Sequence, residues 1–246
     1  MTATPAIAIA DLEVRWQHKA NWSLRIAEFS LGADEQLFLA GPSGSGKSTL
    51  LAAICGITPV LHGRLDVLGQ PMHALPAGAR DRLRADDIGV VFQLFNLLPY
   101  LSVLENVLLA GQFAPARAAR ARPSGGTERA EAERLLTQLQ LPSELWSRRA
   151  SELSVGQQQR TAAARALFGS PRLVVADEPT SALDTDTRDR FLELVQSECR
   201  RTGSALLFVS HDRHLAGRFD RVVELGALAA AAPPPGVATS ASPLPC

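Results

Sequence analysis

The sequence predicts an α/β fold: a mostly parallel core sheet, an antiparallel β flap beside it, and an α-helical block inserted between strands. Three observations carry that reading. Short, uniformly apolar runs (Leu37–Ala40, Leu173–Ala176, Ala205–Val209) alternate with helical patterns, as expected of parallel strands covered on both faces. Two runs of alternating apolar and polar residues precede the first of them, the pattern of half-buried strands. Between residues 94 and 150 strand signals stop and helical spacing takes over.

The elements follow in order. Residues 6–16 and 24–29 alternate and form the flap strands, and Gly32–Glu35 turns the chain into strand 37–40. A helix runs from Ser48 to about Cys55, residues 63–69 form a further strand closed by a glycine turn, and 79–86 a short solvated helix. Ile88–Phe92 is a buried strand ending at Gln93. In the helical block, Leu101, Leu104, Val107 and Leu108 share one face, as do Leu135, Leu136 and Leu139, and Ser102 with Glu105 three residues on reads as a capping box. Pro115–Thr127 reads as an exposed loop or frayed helix end with Arg117, Arg120 and Arg122 on a solvated face. A helix opened by Ser151–Gln157 runs through Leu167, strand 173–178 ends in two carboxylates, and an amphipathic helix spans 187–201 with Phe191, Leu194 and Val195 inward. Strand 205–210 ends at His211, and the Ala/Pro/Ser-rich 229–246 is expected to be a disordered tail. The domain reading is therefore an α/β core of 6–93 and 151–228, with 94–150 as an inserted helical subdomain.

The chemistry starts at Gly41-Pro42-Ser43-Gly44-Ser45-Gly46-Lys47-Ser48-Thr49, which fits G-x-x-x-x-G-K-[ST] between a strand and a helix. Its glycines let the backbone turn its N–H groups inward around phosphate oxygens, and the helix aims its positive end at the same place. Lys47 reaches the terminal phosphates and the Ser48 hydroxyl ligates Mg²⁺. This is a nucleotide triphosphate site of a P-loop protein, with Mg²⁺ expected beside the phosphates. Asp177 and Glu178 end a buried strand, where ligands of open α/β sheets collect; Asp177 is expected to hold Mg²⁺, and Glu178 to orient and deprotonate the attacking water. His211, at the next strand end, is placed to reach the γ-phosphate. Gln93 is placed to ligate Mg²⁺, position water and sense events at the helical block. Trp16 is expected to stack on the base, with Trp22 competing for that role.

Bulk properties narrow the partners. Lys+Arg and Asp+Glu number 25 each, so zero net charge gives no reason to expect nucleic-acid binding. Cys55, Cys199 and Cys246 have no metal-ligand spacing and fit a reducing compartment. The N-terminus lacks the pattern of a signal peptide, and no apolar run reaches the roughly 18–20 residues of a membrane span.

These residues together resemble the ATP-binding-cassette ATPases over roughly 6–226. Leu153-Ser154-Val155-Gly156-Gln157-Gln158-Gln159-Arg160 is similar to the family's signature motif, with Val155 where the family usually has glycine. Ser181-Ala182-Leu183-Asp184 resembles the D-loop, Gln93 matches the Q-loop and His211 the switch histidine. The resemblance implies a head-to-tail homodimer in which Ser154, Gly156 and Gln157 of one copy close over ATP held by the other, and it adds Asp184 of the D-loop to the nucleotide-binding residues. It further implies an ATPase bound peripherally to membrane permease subunits on the cytoplasmic face of the inner (plasma) membrane. Phe92–Pro99 followed by Val103–Val107 is similar to the lipoprotein-release and macrolide-export ATPases, which implies that 94–113 receives the permease's coupling helix. The alternative, a soluble cassette ATPase acting on DNA or ribosomes, calls for coiled-coil insertions or two fused cassettes, and neither is in the sequence.

Overall fold

The computed structural model describes residues 4–15, 23–122, 125–181 and 183–228. The chain runs β1 (Ile7–Arg15), β2 (Ser23–Leu31), β3 (Gln36–Ala40), α1 (Lys47–Ile54), β4 (Val60–Val67), β5 (Gln70–Pro71), α2 (Ala77–Asp87) and β6 (Ile88–Val91). There follow α3 (Val103–Gln112), α4 (Pro115–Arg120), α5 (Glu128–Gln138), α6 (Val155–Leu167), β7 (Leu173–Asp177), α7 (Thr185–Thr202), β8 (Ala205–Ser210), β9 (Arg221–Glu224) and α8 (Leu225–Leu228).

Five strands form a sheet in the order β6-β7-β8-β3-β9, every neighbouring pair parallel. The other four form an antiparallel sheet, β2-β1-β4-β5. The continuous apolar strands have a simple cause: both faces of the parallel sheet are covered. Phe38, Val174 and Phe208 face a core shared with α3, α5, α6 and α7. Their sequence neighbours Leu39, Val175 and Val209 face a second core, shared with flap residues Ile7, Ile9 and Phe29 and with Leu50 and Ile54 of α1. Each such large side chain contributes roughly 1.5–3 kcal/mol by leaving water. Strand β6 and helix α6 meet so closely that a Cβ at Gly89 would lie 2.2 Å from the Ala166 carbonyl oxygen, which reserves that position for glycine.

Expectations of four kinds are corrected or fall outside this description. Trp16 and Trp22, and likewise the expected tail 229–246, lie outside the described residues. The helical spacing expected from Leu94 begins only at Val103, because Phe95 and Asn96 take left-handed φ values of 58° and 48° and Pro99 has no N–H to give. Instead the buried Asn106 carboxamide on α3 accepts from the Leu98 N–H at 2.9 Å and donates to the Leu98 and Ser102 carbonyls at 3.1 and 3.0 Å. It satisfies backbone that a helix would have paired internally. The helix expected from Ser151 starts at Val155, after a short 3₁₀ turn at Ala150–Glu152, because Ser154 takes the extended N-cap conformation.

The fourth correction concerns the arginines of 115–127. Arg117 is buried on α4, not solvated. Its Nε donates to the Phe168 carbonyl at 2.8 Å, and Nη2 donates to the carbonyls of Arg165 and Ala166. These are the carbonyls that the last turn of α6 leaves unpaired, at the negative end of its dipole. Burial pushes the Arg117 guanidinium down to about 10, so it stays charged at neutral pH. Arg120 donates to the Gly169 carbonyl at 2.8 Å and pairs with Asp87 at 3.4 Å. Arg122 is exposed, as expected, and pairs with Glu128. An arginine stripe in a polar, proline-bounded segment carries no mark that a neighbouring helix end needs donors.

Candidate functional site

Strand order assembles the site. Strand β8 lies between β3 and β7, and β6 flanks β7, so the segments leaving their carboxyl ends converge. A cleft of about 450 Å³ opens there, lined by Ser43, Gly44 and Gly46–Thr49 together with Gln93, Asp177, Glu178 and His211. Residues separated by up to 168 positions are thus brought around one volume, from Ser43 to His211.

The loop geometry is local in origin. Gly44 and Gly46 have φ of 80° and 103°, conformations that glycine adopts without a Cβ penalty. Gly46 caps α1 without any side-chain hydrogen bond, so the first N–H groups of the helix keep their capacity for an anion. The Ser45 hydroxyl is buried in the loop without a hydrogen-bond partner, a donor waiting for an oxygen.

Charge balance inside the cleft is tight. The Lys47 ammonium donates to the Gly41 carbonyl at 2.6 Å and pairs with Glu178 Oε1 at 3.3 Å. Glu178 Oε2 lies 2.9 Å from His211 Nδ1 and accepts from the Ser210 hydroxyl at 3.2 Å. Glu178 itself sits at φ 46°, outside the ordinary range for a residue with a side chain, and its N–H bonds the Val209 carbonyl at 2.9 Å. Such strain costs on the order of 1–3 kcal/mol and persists only where surrounding contacts impose it. Next to it, the Ser48 hydroxyl donates to Asp177 Oδ2 at 3.0 Å. Burial, and then the neighbouring Glu178 carboxylate, raise the Asp177 pKa above the ordinary aspartate value, against the Ser48 hydrogen bond and the Lys47 charge. A hydroxyl and a carboxylate oxygen side by side are a hard-oxygen donor pair. That pair suits Mg²⁺, which takes one or two protein oxygens and fills its octahedron with phosphate and water. Among the described residues there is no cluster of three or more His, Cys, Asp or Glu able to enclose a metal.

The residues expected to act on ATP thus fall into two groups. Gln93, Asp177, Glu178 and His211 join the phosphate loop around the cleft. Ser154, Gly156, Gln157 and Asp184 do not line it. Ser154 caps α6 through a reciprocal box with Gln157: the Ser154 N–H donates to Oε1 at 2.9 Å and the Gln157 N–H to the serine hydroxyl at 3.4 Å. Ser154 and Val155 are exposed at that helix end. Asp184 caps α7, accepting from the Thr187 N–H at 3.0 Å. Ser210, which holds Glu178, was not anticipated; its only sequence signal is that it is the single polar residue ending an apolar strand, directly before His211.

A phosphate-cradling loop facing a strand-end carboxylate pair defines a nucleoside-triphosphate-binding P-loop protein. The ABC transporter family model matches residues 24–181. The lipoprotein-releasing system ATP-binding protein LolD of Anaeromyxobacter dehalogenans is 46% identical over 198 residues, 80% of each chain. The uncharacterized ABC transporter ATP-binding protein YbbA of Escherichia coli K12 is 43% identical, over 78% of this chain and 80% of its own. A solved structure described as a dimeric post-hydrolysis state of the ATP-binding cassette MJ0796 bound to ADP and Pi matches with a TM-score of 0.77 and 31% identity, covering 89% of this chain and 93% of that one. The chain belongs to the ABC transporter family, as an ATP-binding subunit that hydrolyses ATP to drive transport.

Proposed function

We propose that two copies of this chain pair head to tail on ATP and drive a membrane permease of the lipoprotein-release type, in the manner named for its LolD relatives. One observation carries the reading: Ser154 and Gly156 stand at a capped helix end away from the cleft of their own chain. Hydroxyl and N–H donors placed there serve a second copy's γ-phosphate, where charge develops during transfer. In the cleft, Lys47 leaves Glu178 for the phosphates, and Glu178, held by Ser210 and His211, takes the proton of the attacking water. Ser48 and Asp177, with Gln93, hold Mg²⁺, which supplies charge neutralisation on the phosphate oxygens when bound.

The core is residues 6–93 and 151–228, and 94–150 is the arm that meets the permease. Leu94, 84% exposed, and Tyr100, also exposed, supply apolar surface beside Gln93 for that contact. No helix among the described residues is long and apolar enough to cross a membrane. In this reading the pair sits on permease subunits at the cytoplasmic face. The test uses Glu178→Gln: general-base loss lowers turnover by about 10²–10⁴-fold while ATP affinity persists, and the variant elutes as a dimer with ATP and Mg²⁺. Elution as a monomer under those conditions refutes head-to-tail pairing. Recovery of the tagged protein from cell extracts with ribosomes or DNA, and never with a permease, refutes the transport partner.

A further inference from the structure

We infer that Arg165 is a positioning residue that locks the Gln93 loop to helix α6, so that the loop and the Ser154 end of that helix move as one body. The inference rests on the proposed roles of Gln93 and Ser154 and deepens them. Arg165 lies near the carboxyl end of α6, about 16 Å along the axis from Ser154 at 1.5 Å per residue. Its guanidinium donates to the Phe95 carbonyl at 2.6 Å and the Asn96 carbonyl at 2.7 Å. A planar fork of donors suits two successive carbonyls in a way a lysine ammonium does not.

The loop needs such a holder. Phe95 and Asn96 are consecutive non-glycine residues at positive φ, a pairing the chain does not choose by local preference. Within the loop, the Phe95 and Asn96 N–H groups bond only short-range carbonyls, at Phe92 and Leu94. Gln93 lies two positions before this pinned turn, and Asn106 fixes the chain just beyond it. Arg165 is itself held, since its carbonyl accepts from the buried Arg117 at 3.3 Å. The contacts are to backbone carbonyls, so they survive any side-chain rearrangement that a partner imposes on exposed Leu94. Pressure on the loop therefore reaches α6 directly.

The experiment attaches a nitroxide spin label to Leu94→Cys in a Cys246→Ser background, where Cys55 and Cys199 are buried. It compares the parent with Arg165→Ala and Arg165→Lys. Expected are a clear mobilisation of the label in both variants, kcat lowered at least tenfold, and KM and nucleotide affinity within twofold of the parent. Guanidinium at about 10 mM restores at least a third of the lost kcat in Arg165→Ala and none in the parent. An unchanged label spectrum with unchanged kcat in a folded variant overturns the inference. So does loss of nucleotide affinity in step with kcat without guanidinium rescue, which is the behaviour of general structural damage. If Arg165→Ala fails to fold, Arg165→Lys is judged by the same label and kinetic criteria. A parent without ATP turnover refutes the proposed function instead, and the label spectra alone then decide the lock.

Discussion

Glu198 on α7 is the acid that ties α5 to the sheet side of the molecule, and its removal has a calculable cost. Its side chain is 2% exposed and accepts from Arg134 Nη2 of α5 at 2.6 Å and Arg201 Nη2 at 2.7 Å. Glu198→Gln replaces the carboxylate that both guanidinium groups share with a neutral amide, while Arg134 keeps its bonds to Glu131 at 2.8 and 2.9 Å. A hydrogen bond to a charged group contributes about 1.5–3 kcal/mol, and breaking a fully buried pair costs about 3–5. The arginine side chains are 36% and 52% exposed, so water recovers part of the loss and the expectation is about 2 kcal/mol. For a domain of this size that corresponds to a Tm lower by roughly 4–8 °C.

The pH dependence follows from the same contacts. Burial raises the Glu198 carboxyl, but the hydrogen bonds and charges of Arg201 and Arg134 outweigh it and hold the group below its ordinary 4.5. A depressed acid contributes stability that is present above the unfolded value and lost as pH falls through the folded value. Urea denaturation at pH 7 should therefore separate parent and Glu198→Gln by the full amount, and the gap should narrow as pH falls below the ordinary 4.5 and through the depressed folded value. A gap under about 0.5 kcal/mol at pH 7, or one that stays constant into acid, refutes the reasoning.

Two further substitutions test other parts of the structure. Asp177→Asn removes a carboxylate that folding holds above its ordinary pKa, so the ligand-free variant gains stability over the parent as pH rises past about 4, while its Mg²⁺-dependent turnover is lost; denaturation curves at pH 3 and pH 7 that show no such divergence contradict this. Gly89→Val drives its Cβ into the Ala166 carbonyl and costs about 1–3 kcal/mol or more, read as a lowered Tm; an unchanged Tm means β6 and α6 do not pack as described.

The parts of the site legible in the sequence are those whose geometry is carried by contiguous backbone. Gly44, Gly46, Lys47 and Ser48 specify a loop and a helix start within a few residues, and Asp177-Glu178 at the end of an apolar run places itself at a strand end. The helical arm was less legible. Leu94–Leu101 has helical spacing, yet the backbone there is paired by a carboxamide from α3 and a guanidinium from α6, partners 8 and 69–70 residues away. Arg117 looks solvated in sequence because a polar neighbourhood says nothing of a helix end arriving from 48–51 residues further on.

By itself the sequence determined the chemistry: a loop able to hold a triphosphate, an acid pair beside it, and apolar strands that only a sheet covered on both faces can bury. The tertiary structure alone decided that Lys47, Ser210 and His211 all meet at Glu178, and that Ser154 and Gly156 stand away from the cleft they resemble parts of. The reason is physical. Local conformational preference acts over a few residues, whereas strand order, burial and the pairing of stranded carbonyls depend on which distant segments pack together.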